Sequence, residues 1–191
     1  MRLEHPLPET FRADAAALYW EAFGGKLGRV LGPAARGREL VRRTLRPDHA
    51  IAMTDHGRLL GLCGFKTVQG AFVQADPQAM RDIFGRTGAG WRRAALGLLQ
   101  QDTDNRRFLI DGLCVAGGYR GRGIGTALIA AICDEARTRG HPAVRLDVVD
   151  SNLRARDLYL RLGFHEVDRV HNRIAAPIYG FGATITMVRA V

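Results

Sequence analysis

The residues best placed to do chemistry lie in AGGYRGRGIGTAL, residues 116–128, where five glycines and two arginines fall within ten positions. Glycine permits positive φ and lets a ligand approach the main chain, and a helix starting here would leave its first amides unpaired and pointing at an anion. Such a loop suits a phosphate, although a glycine-rich surface turn has the same composition. Two known phosphate loops fail on spacing. A dinucleotide fingerprint begun at Gly121 needs glycine where Thr126 stands, and a P-loop begun at Gly118 needs lysine where Ile124 stands. The three cysteines, Cys63, Cys114 and Cys133, are odd in number, lie in apolar surroundings and show no CxxC spacing. They suggest neither a disulfide framework nor a zinc site, and a reducing, cytoplasmic compartment is expected. Cys114 has no histidine near it in sequence and reads as a small packing residue. The six histidines never form HxH or HExxH, so no metal site is expected.

The elements that must hold this loop are legible around it. FLIDGLCV, residues 108–115, reads as a strand, and the segment from Gly125 reads as a helix ending at Gly140. AVRLDVV follows as a strand. SNLRARDLYLRLGF opens with an N-cap at Ser151 or Asn152 and ends as a helix at Gly163. Two further strands are expected at about residues 164–170 and 178–188. Upstream, Phe11, Ala15, Leu18, Tyr19, Ala22 and Phe23 recur at helical spacing, with Gly24 and Gly25 as the stop signal. A shorter helix is expected over residues 38–45, before Pro47, and HAIAMTDHGRLLGLCGFKTV reads as a hairpin turning near His56 and Gly57. Between about 70 and 106 the pattern is broken by Gly85, Gly88 and Gly90. There Trp91, Ala94, Ala95, Leu98 and Leu99 predict a docked helix over residues 90–101.

Two of these segments carry a resemblance. RGRGIG, residues 120–125, is similar to the RxxGxG signature of the GCN5-related N-acetyltransferase (GNAT) superfamily, in the same setting between strand and helix. NLRARDLYLRLGF, residues 152–164, resembles that superfamily's second signature. The resemblance covers residues 108–164 clearly and the flanks only in strand order. It implies an α/β (α+β) fold, with a mixed, mostly antiparallel sheet flanked by helices in a single domain over residues 1–191, and a helical insertion at about 70–106.

It further implies transfer of an acetyl group from acetyl-CoA, as co-substrate, to a primary amine of a small molecule or peptide by direct attack. By that analogy the amides of Arg122, Gly123 and Gly125, with Gly121 and Thr126 beside them, hold the pyrophosphate, and Arg120 and Arg122 add charge. The backbone of Leu113, Cys114 and Val115 pairs with the pantetheine arm and offers an amide to the thioester oxygen. Asn152 contacts the cofactor, and Tyr159 matches the tyrosine taken as general acid toward the departing thiolate. Asp111, just ahead of the thioester site, is the candidate base, and strand alternation puts it on the face shared by Leu109 and Leu113. Glu21 is a weaker candidate, and ordered water replaces a dedicated base in many relatives. The alternative function is a catalytically silent coenzyme A-binding sensor or interaction module, which has no need of an acid beside sulfur.

Composition narrows the partners. The 191 residues, 47% hydrophobic, suit one core. No apolar run approaches the roughly 18–20 residues of a membrane span, and the N-terminus lacks the apolar run of a signal peptide. The net charge of +9 favours anions, but only two of the 28 basic residues are lysine and the arginines are scattered. Without a basic face bearing interleaved aromatics, nucleic acid is not the expected partner. The segment at about 70–106, with its Trp91 stripe, is expected either to cover the acceptor side or to form a homodimer contact. The acceptor itself lies outside the matched segments.

Overall fold

Trp20 explains why the first helix does not stop at its glycines. In the computed structural model, which describes residues 1–74, 76–97, 107–171 and 181–191, helix α1 runs through Arg12–Leu31. A Cβ at Gly24 would stand 2.9 Å from the Trp20 indole nitrogen, and one at Gly37, on α2 (Ala34–Thr44), would stand 2.0 Å from the same ring. The glycines are the space into which Trp20 packs between two helices, and that packing outweighs their weak helix propensity. Residues 24–31 thus correct the expected stop at Gly24.

The sheet contains β1 (Arg2–Glu4), β2 (Ala50–Asp55), β3 (Arg58–Thr67), β4 (Gly70–Ala71), β5 (Phe108–Val115), β6 (Ala143–Val149), β7 (His165–His171) and β8 (Ala183–Ala190). Its order is β1-β2-β3-β5-β6-β8-β7, with β4 paired to β3. Every described pairing is antiparallel except β5 with β6, so the sheet is mixed and mostly antiparallel, as expected. The β2–β3 turn places His56 at φ 44° and Gly57 at φ 72°, the pair of positive values that suits a tight hairpin. Ile178, where the last strand was expected to begin, lies outside the described residues.

Each face of the sheet has its own cover. Ile51, Met53, Leu60, Phe65, Phe108 and Ile110 pack with Leu128, Ile129 and Ile132 of α4 (Ile124–Thr138). Tyr159 and Phe164 close that cluster from α5 (Leu153–Arg161) and the residues after it. On the opposite face Ala50, Ala52, Leu62 and Cys114 meet Ala15, Leu18 and Tyr19 of α1 and Val41 of α2. Period-two alternation along β2 sends neighbouring side chains into these two clusters.

Helix α3 (Pro77–Gly97) differs from its expectation. Two helical segments meet at Gly85, whose φ of 74° and ψ of 170° only glycine adopts readily. The helix begins well before residue 90, and its buried side chains are Ala79, Met80, Phe84 and Ala89. Of the Trp91 stripe, Trp91 is 50% exposed and stacks on the Arg92 guanidinium, Ala94 is exposed, and Ala95 packs on the cluster of Met80 and Phe84. Leu98, Leu99 and Gln101 lie outside the described residues.

Candidate functional site

Strands β5 and β6 run parallel but share only two register pairs, Phe108 with Val144 and Leu109 with Arg145. Beyond Leu109 they diverge, while β3 stays paired with β5 as far as Val115. On that side Cys114 stands opposite Leu62, and the Ala116 amide donates to the Leu60 carbonyl at 2.9 Å. Antiparallel pairing alternates, so Leu113 and Val115 turn their amides and carbonyls the other way, into the gap that β6 has left. The Val115 carbonyl accepts from Arg120 Nε at 3.0 Å.

The glycine loop closes one end of the gap. Gly121 and Gly123 have φ of 78° and 79°, and Gly123 caps α4 in the left-handed conformation. The first bond of that helix runs from the Ala127 amide to the Gly123 carbonyl, which leaves the amides of Ile124, Gly125 and Thr126 directed outward. Together with the positive end of the helix dipole they make a group of donors whose chemistry suits an anion. At Gly123 a Cβ would meet nothing within 4 Å, so only conformation demands the glycine.

A cavity of about 480 Å³ occupies this region. Leu113, Cys114, Val115, Arg120, Gly121, Gly123, Gly125, Thr126 and Asn152 all line it. Arg122 does not, and its guanidinium lies over the Tyr119 ring at 5.4 Å. Arg120 also faces Glu21 at 3.6 Å. The Asn152 side-chain oxygen accepts from the Ala155 amide at 3.3 Å and caps α5, so it serves the fold as well as lining the cavity. Ala22, Phe23, Tyr119, Ile124, Arg154, Ala155, Leu158 and Arg161 complete the wall, and nothing in the sequence marked them as site residues.

Tyr159 and Asp111 stand behind that wall. Tyr159 is 8% exposed and packs on Phe164 with ring centroids 5.8 Å apart. Burial raises its phenol, and the neighbouring Cys63 and Cys114 add to the shift. Asp111 corrects the regular alternation expected of β5. Gly64 pairs with Gly112 and Phe65 with Ile110, so Asp111 is the extra residue of a β-bulge. The bulge reverses the phase of the strand. Leu113 packs toward the α4 face, whereas Asp111 accepts from the Val73 amide at 3.4 Å and adds to the rise that burial causes in the Tyr19 phenol on the α1 face. Though partly open at the surface, its carboxyl is deep among protein atoms, and burial lifts it to about 6 against backbone hydrogen bonds and Lys66. Cys114 is buried and its thiol is raised, first by burial and then by Asp111, which suits packing and not nucleophilic attack.

The bulged carboxyl has a measurable signature. Its folded pKa of about 6 exceeds the ordinary 3.8, so between those values the folded protein keeps a proton the unfolded chain has lost. Stability therefore falls as pH rises through that window, by about 2–3 kcal/mol in all. Asp111→Asn is expected to raise the Tm at pH 7.5, with the gain shrinking toward pH 4. Thermal melts of both proteins across that range test it, and a pH-independent difference would assign the carboxyl an ordinary pKa.

Among the described residues no helix is long and apolar enough to cross a membrane, and no group of three His, Cys, Asp or Glu could hold a metal ion. Comparison with known proteins places the fold and the family. Over 81 residues the chain is 36% identical to a streptothricin acetyltransferase of Streptomyces lavendulae, a match covering 42% of this chain and 43% of that protein. The chain thus spans under half the length of that curated relative. An N-acetyltransferase from Staphylococcus aureus Mu50 superposes with a TM-score of 0.69 at 14% identity, covering 99% of this chain and 100% of that one. A protein from Bacillus anthracis str. Ames, solved in complex with acetyl coenzyme A, superposes with a TM-score of 0.52 at 15% identity over 74% of this chain and 61% of that one. At such identities these structures show a shared fold. Residues 13–164 match the acetyltransferase (GNAT) family as a whole, and the chain belongs to that family.

Proposed function

We propose that the protein transfers an acetyl group from acetyl-CoA to a primary amine by direct attack. The observation that carries this reading is the gap between β5 and β6, which sets strand backbone that no neighbouring strand pairs beside a glycine-capped helix N-terminus in one cavity. A pyrophosphate fits the outward amides at Ile124, Gly125 and Thr126, with Arg120 near it. An extended pantetheine arm fits the backbone groups of Leu113 and Val115 as a strand would.

In that arrangement the amine nitrogen attacks the thioester carbonyl carbon, and an amide turned into the gap by Leu113 or Val115 stabilises the oxygen that becomes negative. The C–N bond forms and the C–S bond breaks. Tyr159 donates its phenolic proton to the departing thiolate, a role favoured by a phenol that burial keeps protonated. The proton lost by the amine passes to Asp111 or to water. Asp111 has a pKa suited to a base near neutrality and lies near Cys114 of the cavity wall, whose thiol it raises after burial.

Isothermal titration with acetyl-CoA, followed by a free-thiol assay over amines, short peptides, aminoglycosides and streptothricin, tests the proposal. Micromolar binding with thiol release is expected. Binding without release on any acceptor would favour the sensor, and no binding would remove the site from this cavity.

Helix α3 belongs to the same reading. Met80, Phe84 and Ala89 share an apolar cluster with Val30 and Leu31 of α1, with Val149 and with Phe181, so α3 packs on the C-terminal part of the helix that gives the cavity Ala22 and Phe23. Deleting residues 89–97 is expected to change the range of amines accepted in the thiol assay while acetyl-CoA still binds. An unaltered range would separate α3 from the acceptor.

A further inference from the structure

Lys26 belongs to α1, next to the part of that helix that lines the cavity. It is one of only two lysines, and it follows Ala22 and Phe23 of the cavity wall by four and three residues, so it extends the same face of α1 by one turn. Its ammonium lies 6.0 Å from the centroid of Phe23 and 5.8 Å from that of Phe181. No acidic side chain pairs with it among the described residues. By contrast, Arg120 faces Glu21, and Arg43 bonds to Glu39 at 2.7 Å. Desolvation also draws the Lys26 ammonium below the ordinary lysine value. Two ring faces attract a cation weakly, and a half-buried charge without a counter-ion is stabilised further by an anion brought to it.

We propose that Lys26, framed by Phe23 and Phe181, binds a carboxylate of the acceptor, which makes the acceptor class an amine that also carries an acid group. Apolar atoms between the two groups would run along the rings, with the amine directed toward the gap beside β5. The inference rests on the acetyl-transfer reading and adds the chemistry at the far end of the substrate. An arginine tied to its own carboxylate could not serve in this way, because an incoming acid would have to displace the partner already bound.

Two measurements test it. Lysine labelled with ¹³C at Cε gives two signals, Lys26 and Lys66, assigned by Lys26→Gln. Adding N-acetyl-β-alanine is expected to shift the Lys26 signal, whereas its amide should leave that signal in place. In the thiol assay, glycine, β-alanine and 4-aminobutyrate are compared with their amides. At least one acid is expected to exceed its amide in kcat/KM by a factor that falls about tenfold in Lys26→Gln and is largely restored in Lys26→Arg. Taking the ratio between proteins cancels the intrinsic reactivity of each amine. Equal acid-to-amide ratios in wild type and Lys26→Gln, with an unmoved Lys26 signal, would overturn the proposal. So would acetylation of Lys26 itself by acetyl-CoA alone, seen by mass, since that would make the lysine an acceptor. Loss of acetyl-CoA binding would instead defeat the acetyl-transfer reading, and the signal of Lys26 would still report on the carboxylate.

Discussion

Gly123→Asp is expected to abolish coenzyme A binding. The position holds φ at 79°, where any L side chain costs about 1–2 kcal/mol, so the loop would relax away from its present path. The new carboxylate would also stand at the N-terminus of α4, where a pyrophosphate is proposed to bind, and like charges so placed cost several kcal/mol. Together these correspond to a loss of about 10³-fold in affinity. Gly123→Ala separates the two effects. Its Cβ would enter open space, so only the conformational cost applies and roughly a tenfold loss is expected. Isothermal titration of both variants with acetyl-CoA decides the matter, and micromolar affinity in the aspartate variant would displace the phosphate site from this loop.

Tyr159→Phe should act on the other half of the reaction. General acid catalysis contributes about 10²–10⁴-fold, so kcat is expected to fall by that order while acetyl-CoA affinity changes less than about twofold. The ring is buried against Phe164, and among the described residues its hydroxyl has no hydrogen-bond partner, so phenylalanine keeps the packing and melting should change little. Because burial raises the phenol, any loss of activity from its ionisation belongs above the ordinary tyrosine range. Steady-state kinetics with titration calorimetry on the same preparation checks this. Unchanged kcat would return Tyr159 to the core, and equal losses in turnover and affinity would mean a binding role.

The segments legible in the sequence were those whose cues are local. The glycines at 121, 123 and 125 sit between an apolar strand and an apolar helix, and those few residues build the loop by themselves. Asn152 likewise caps its own helix. What sequence hid depends on residues far along the chain. Gly24 reads as a stop until Trp20 is seen to need the space of both Gly24 and Gly37. The short β1 strand exists because Arg2, Leu3 and Glu4 pair with Thr54, Met53 and Ala52, which nothing in three residues announces. The bulge at Asp111 is set by the register with β3, so FLIDGLCV alternates on paper where the strand does not. Lys26 resembles any helix-surface lysine until Phe181 arrives from the other end of the chain.

The divergence of β5 from β6 also bears on how the protein can drift in sequence. In the proposed complex the strand offers its peptide groups to the ligand, and every amino acid except proline carries the same donor and acceptor. Leu113 and Val115 could then be exchanged for other strand-forming residues without rewriting what is recognised. Only Gly121 and Gly123, held at positive φ, are tied to residue type by the backbone itself. A site built largely from main chain would leave a faint record in side chains.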